Sequence, residues 1–175
     1  LKPSAAKGQT FLMLNNANDI WTYFPRTKRV RKLASSAKNQ KVQGSDFSYD
    51  DIGSGDSWKE EYDSKNLGEE KHNGVKCWKL ESIGIPEEDP SYPKMISMVR
   101  QSDFYPLSID YYDDKGNVEK TLLLEDIEEI EGVPTALKMQ MVNHNEGSET
   151  TMITLSMTYD WIPPENFFSE RTLKR

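Results

Sequence analysis

The sequence predicts a mainly β protein: an antiparallel sheet forming an incomplete, half-open barrel, with one or two short covering helices. Three observations carry this expectation. Five β-rich runs follow one another through residues 94–161, separated by stretches of turn chemistry short enough for hairpins. Hairpins join antiparallel neighbours, whereas parallel strands need a long crossover, so consecutive runs become adjacent strands. Apolar and polar side chains alternate with a period of two in the last runs, and almost no stretch repeats its apolar residues at the helical period.

Taken in order, residues 2–8 form an irregular lead-in to 9–14 (QTFLML), which is apolar on both faces, as a covered strand would be. The cluster Asn15-Asn16-Ala17-Asn18-Asp19 is a turn. An aromatic strand, 20–24, follows and is stopped by Pro25. Residues 26–33 (RTKRVRKL) read as a basic strand with Val30 as its apolar member. In 44–53, Ser45 is the expected N-cap of a short helix that closes on Gly53 in a left-handed position, with Phe47 buried and Asp50 or Asp51 exposed. Residues 58–63 read as a short strand, and 67–72 pairs with 75–83 across Asn73-Gly74, a dipeptide suited to a type I′ turn. Residues 85–93, with three prolines, form a loop before the long meander. In the meander, Leu137, Met139 and Met141 alternate with polar neighbours, as do Ile153, Leu155, Met157 and Tyr159, so one apolar, methionine-rich face is expected. The tail then leaves the sheet and docks through Phe167 and Phe168.

Composition narrows the classes of function. A length of 175 residues fits one domain, 1–175, and suffices for a real core. Charged residues are 29% and mean hydropathy is -0.77, and no run approaches the roughly 18 apolar residues of a membrane-spanning helix. A net charge of -7 argues against general nucleic-acid binding, which depends on neutralising phosphates. The single cysteine, Cys77, excludes an intramolecular disulfide and any multi-cysteine metal site. Because the chain begins at Leu1, it is expected to be a trimmed piece of a longer protein.

Several short signals have plainer explanations. His72 and His144 sit at turns with no partner at ligand spacing, which suits solvated histidines better than zinc ligands. The stretch 113–119 (DDKGNVE) has a glycine, but Tyr111 and Lys115 would occupy ligand positions of a calcium loop, so it reads as a hairpin turn. Adjacent carboxylates such as Glu128-Glu129 face opposite ways on a strand and form no acid/base pair. Neither a G-x-S-x-G elbow nor a glycine-rich phosphate loop occurs, so an enzyme is not expected and no cofactor or metal is implied. The cations of 26–32 suit a phosphate headgroup, an acidic partner, or simply a solvated edge. The methionines suit either an irregular core or the wall of an acyl cavity.

The combination Lys7-Gly8-Gln9-Thr10-Phe11-Leu12, Trp21-x-Tyr23-x-Pro25-Arg26 and Gly44-Ser45-Asp46-Phe47-Ser48-Tyr49-x-Asp51 resembles the outer-membrane lipoprotein-sorting protein family of the LolA-like superfamily. Tyr105-Pro106, Pro134-Thr135, Phe167-Phe168 and Leu173 extend the resemblance over nearly the whole chain. The arginine that LolA proteins use with their lid helices has no residue-by-residue match here.

The resemblance implies an incomplete barrel around an apolar cavity and a periplasmic carrier or sensor of lipidated ligands. It also implies that a signal peptide and first β elements precede this chain. On this basis Tyr23, Phe47, Met98, Leu137, Met139, Met141, Ile153, Leu155, Met157 and Tyr159 are expected to line the apolar cavity. Arg26, Lys28, Arg29 and Arg31 are expected to meet a headgroup or a partner. The implied partners are acyl chains of lipids or lipoproteins, an inner-membrane exporter and an outer-membrane acceptor. The alternative is a protein-interaction module, such as an envelope-stress sensor or an accessory subunit of a lipid exporter.

Overall fold

The computed structural model describes residues 7–174. Its contacts divide the chain into two units, Leu1–Ser57 with Trp161–Arg175, and Trp58–Asp160.

The first unit holds a three-stranded antiparallel meander of β1 (Thr10–Leu14), β2 (Asp19–Phe24) and β3 (Arg29–Lys32), in that order. The basic strand is shorter than expected because 25–28 form the hairpin turn, with Lys28 in the left-handed region at φ 54. Register places Phe11, Met13, Ile20 and Thr22 on one face. There the Phe11 ring meets Tyr49 edge-on at 5.3 Å. Tyr49 opens helix α1 (Tyr49–Gly53), whose N-cap is Ser48, not Ser45. The Asp51 amide donates to Ser48 Oγ at 3.0 Å, and the Ser48 amide donates to Asp51 Oδ2 at 2.7 Å. Ser48-x-x-Asp51 thus completes a reciprocal capping box, while the Ser45 hydroxyl donates to the Phe47 carbonyl at 3.3 Å.

Gly53 is the last helical residue rather than a left-handed cap, and its lack of a side chain admits Met13, whose Sδ would lie 2.7 Å from an added Cβ. Phe47 is buried as expected, but so is Asp50, with Asp51 half-buried and Ile52 exposed. The tail returns to this unit through Leu173, which is buried and whose carbonyl accepts from Thr10 Oγ1 at 3.1 Å. Phe167 and Phe168 stack edge-on with each other and remain exposed, so the docking expected of them falls to Leu173.

The second unit begins with a helical turn, α2 (Trp58–Glu61), where a strand was expected. The strand starts only at Tyr62. Seven antiparallel strands follow: β4 (Tyr62–His72), β5 (Val75–Gly84), β6 (Lys94–Arg100), β7 (Pro106–Tyr112), β8 (Val118–Ile130), β9 (Val133–Asn143) and β10 (Ser148–Ile153). Each pairs with its sequence neighbour, and β4 and β10 are the two edges, so the sheet is not closed into a barrel. Asn73 and Gly74 both have positive φ (48 and 83), as a type I′ hairpin requires.

Two sequence-based expectations fail at the last strand. β10 ends at Ile153, so Leu155, Met157 and Tyr159 are off the sheet, and Leu155 is 93% exposed. The segment is recaptured by side chains instead. The Tyr159 amide donates to the Glu131 carboxylate at 2.7 Å, and the Tyr159 and Thr135 hydroxyls lie 2.7 Å apart.

Candidate functional site

Register decides which side chains share a face of the seven-stranded sheet. Asn66, Leu80, Ser97, Ile109, Leu122, Met141 and Thr150 stand opposite one another in turn, a row that crosses all seven strands. Two residues away along the strands, about 7 Å, a parallel row runs through Ser64, Ser82, Met95, Tyr111, Lys120, Asn143 and Ser148. In the other direction the same face carries Trp78 opposite Val99, and Leu124, Met139 and Met152 opposite one another.

These rows differ in how closed they are. The Lys120 row is covered: Ser82, Tyr111, Lys120 and Asn143 are all buried. Tyr92, from the loop after β5, lies against Tyr111 with ring centroids 4.5 Å apart and accepts from Lys120 Nζ at its hydroxyl at 3.0 Å. The central row is mixed, with Met141 fully buried while Leu80, Ile109 and Leu122 are half-buried. Trp78, Val99, Leu124, Met139 and Met152 are all half-buried. The face is therefore sealed and polar at one end and apolar, with partly accessible side chains, at the other.

The opposite face has a different chemistry. It carries the ion pairs Lys79–Glu70 at 3.0 Å, Lys94–Glu81 at 3.8 Å and Lys138–Glu125 at 2.8 Å. A small apolar cluster of Cys77, Met98 and Leu107, with Ile127 packed on it, interrupts these charges. A sheet with one charged face and one apolar face ordinarily covers the apolar face completely. Here that face keeps a partly accessible row of large side chains.

Leu137, Met139 and Met141 share the apolar face, by alternation along β9. Met98 does not: register turns it to the other face, into the Cys77 cluster. Ile153, paired with Lys138, also faces the charged side and is 55% exposed. Leu155, Met157 and Tyr159 lie beyond β10. Tyr23 and Phe47 belong to the first unit, Tyr23 half-buried and Phe47 buried. Trp78, Val99, Leu122, Leu124 and Met152 were absent from the expected lining, although the alternation of Trp78 with its neighbours was visible. A run such as Leu122-Leu123-Leu124 hides its facing, because every residue is apolar and only the register with β9 separates Leu123 from the other two.

The Asp103 and Asp113 carboxylates are held in turns rather than on this face. Arg100 forms a fork on Asp103, with Nε to Oδ1 at 2.8 Å and Nη2 to Oδ2 at 2.6 Å, which holds the Asp103 carboxyl below the usual carboxylate range. Amides of Asn117 and Lys115 donate to Asp113 Oδ1 at 2.8 and 2.9 Å, and the hydrogen bonds from Asn117 foremost lower its pKa. The 113–117 stretch is thus a side-chain-closed turn, as expected. His144 Nε2 lies 2.9 Å from Thr121 Oγ1. Among the described residues no group of three or more His, Cys, Asp or Glu side chains is arranged to hold a metal ion. A cleft of about 460 Å³ is lined by Asp89, Pro90, Tyr92, Asp113 and Glu119, among others, and another of about 210 Å³ takes in Leu107, Leu123 and Leu124. Neither is lined by the methionines of β9 and β10.

An unclosed antiparallel sheet, short helices and an apolar sheet face define a LolA-like fold, and the solved structures agree. A DUF1329 family protein from Desulfovibrio piger superposes with a TM-score of 0.88 at 29% identity, over 98% of this chain and 73% of that one. A domain from Vibrio parahaemolyticus, assigned to outer-membrane lipoprotein sorting, gives a TM-score of 0.82 at 32% identity, over 90% of this chain and 66% of its own. A LolA superfamily protein from Nitrosomonas europaea, at 22% identity, shares the fold with a TM-score of 0.75 over 98% of this chain and 74% of that one. A search of curated proteins finds no match. A family described as "uncharacterized protein" matches residues 1–175, and the chain belongs to that family.

Proposed function

We propose that this protein is a periplasmic carrier that binds the acyl chains of lipids or lipoproteins on the apolar face of its seven-stranded sheet. It acts in outer-membrane lipoprotein sorting or lipid transport, as one functional domain and without covalent chemistry. The observation that carries the reading is two half-buried groups on one face, Trp78 with Val99 and Leu124 with Met139 and Met152, opposite a face laced with ion pairs. Each acyl methylene removed from water there contributes about 0.8 kcal/mol. Unbranched methionine side chains repack around chains of different length. An unclosed sheet leaves a route for release to an acceptor. The assignment of the Vibrio domain to lipoprotein sorting supports the cargo class and the periplasmic setting, and among the described residues no helix is long and apolar enough to cross a membrane.

Native mass spectrometry of protein isolated from bacterial envelopes, paired with titration of a fluorescent fatty acid, tests this reading. Bound lipid and saturable probe binding are expected. Ligand-free protein with no saturable binding refutes it.

A second reading, an interaction module such as a sensor or an exporter's accessory subunit, is favoured by the apolar side chains displayed past β10. Leu155 is 93% exposed, Ile162 87% and Trp161 52%. Capture of a specific envelope protein that is lost in Leu155→Ser, with no lipid bound, would select it.

A further inference from the structure

Charge is divided unevenly along this chain. The unit formed by Leu1–Ser57 and Trp161–Arg175 contains 12 Lys and Arg against 7 Asp and Glu, a balance of +5. The unit Trp58–Asp160 contains 10 against 22, a balance of -12, and together these give the net -7. A sign asymmetry of this size between parts of one chain points to a charged surface as a partner.

The positive charge is concentrated on one hairpin. Arg26, Lys28, Arg29, Arg31 and Lys32 are all exposed, on the β2–β3 turn and on β3, the edge of the three-stranded sheet. Lys32 is paired with Asp19 and lies 4.9 Å from the centre of the Trp21 ring. The Arg31 guanidinium stands 5.9 Å from the Phe24 ring centre. Arg26, Lys28 and Arg29 make no ion pair among the described residues. The turn that presents them is fixed: Pro25 sets one dihedral, and the Thr27 and Lys28 amides donate to the Phe24 and Pro25 carbonyls at 3.2 and 3.3 Å.

We propose that the β2–β3 hairpin is a docking surface for membranes containing anionic phospholipid. Two features favour a lipid surface over an acidic protein. Trp21 and Phe24 are half-buried beside Lys32 and Arg31, and aromatic rings beside Lys and Arg are the composition of a membrane interface. The cations also lie on a turn tip and along the edge strand of the three-stranded sheet, an arrangement suited to a plane of phosphates rather than to one peptide. Such a surface attracts the +5 unit, which carries the hairpin, and repels the -12 unit. This surface is separate from the acyl-binding face and does not depend on it.

The test is sedimentation of the intact protein with vesicles of phosphatidylcholine alone and of phosphatidylcholine mixed with phosphatidylglycerol, at low and high salt. Binding only to the mixed vesicles, weakened by salt, is expected. The double variant Arg29→Gln/Arg31→Gln should lower the bound-to-free ratio by roughly tenfold or more, with unchanged circular dichroism and unchanged fatty-acid probe binding. Lys28→Glu, in the turn and outside the strand pairing, should lower it too if the double variant folds poorly. Equal binding to both vesicle types, or full binding by both variants, overturns the proposal. Capture by immobilised polyglutamate without vesicle binding overturns it in favour of an acidic protein partner.

Discussion

Met139 and Met141 are two residues apart on one strand and on one face, yet they differ in burial, which makes them a direct test of whether this face is a core or a binding surface. Met141 is 0% exposed, so Met141→Ala leaves a void among side chains that relax only partly. A loss of about 2–5 kcal/mol is expected. Met139 is half-buried, so Met139→Ala removes part of a transfer contribution and leaves no enclosed void. Full burial of a methionine side chain is worth roughly 1.5–3 kcal/mol, which puts the expected loss near 1 kcal/mol. If an acyl chain lies on this row, the same truncation removes contact with one or two methylenes and weakens binding by about 4- to 15-fold. The assays are urea unfolding, read as a midpoint shift at constant slope, and titration with a fluorescent fatty acid. Met157→Ala, outside the sheet and 44% exposed, is the control, expected within about 0.5 kcal/mol of the parent. A loss at Met139 equal to that at Met141, in a parent with no saturable probe binding, would show that the face is an ordinary core.

Other perturbations probe the frame. Ser48→Ala removes the hydroxyl of the capping box and should cost about 0.5–2 kcal/mol in urea unfolding; no change would mean that packing of Tyr49 alone holds α1. Gly84→Ala would bring a Cβ to 2.6 Å from Pro90 Cγ and 3.0 Å from the Tyr92 carbonyl. It should lower stability by about 1–3 kcal/mol, and a neutral result would show that the loop shifts freely. The Asp103 carboxyl, held low mainly by the Arg100 fork, contributes stability present above its unfolded pKa of about 4. That stability is lost as pH falls through the depressed folded value. Asp103→Asn should therefore flatten the acid limb of a series of thermal melts, and an unaltered limb would refute the assignment.

Much of the second sheet was legible because each strand ends in chemistry that ends strands. Asn73-Gly74 can take two positive φ angles, Asp113 closes its own turn, and Gly132 and Gly147 have positive φ between consecutive strands. The errors arose where no local signal marks a boundary. Residues 58–63 carry two aromatic side chains among charged ones, yet 58–61 form a helical turn. Likewise Ile153, Leu155, Met157 and Tyr159 continue a period of two past the end of β10. The Thr154 amide still donates to the Leu137 carbonyl at 2.8 Å, so pairing could have continued along β9. It stops because Glu131 accepts from the Tyr159 amide and from Thr158 Oγ1, at 2.7 and 3.2 Å. That competition lies 27 and 28 residues away in sequence, beyond the reach of a periodicity argument.

The candidate site was legible in kind but not in extent, for a reason that bears on its function. Composition and alternation identify an apolar face, and Leu137, Met139 and Met141 were found by alternation alone. They cannot say which part of that face is sealed, because sealing depends on what crosses it. Tyr92 arrives from a proline-rich loop to cover the end marked by Tyr111 and Lys120, holding a buried ammonium against a phenol. The row through Leu124, Met139 and Met152 keeps its partial exposure. The hydrogen bond to the Tyr92 hydroxyl offsets part of the cost of burying Lys120, so the polar end can be closed. An apolar row can stay half-covered at a cost of only about 25 cal/mol per Å², which an acyl chain lying on it would offset. Closing the polar end and leaving the apolar end accessible is therefore the arrangement expected of a reversible binder of chains, whereas a core would cover both.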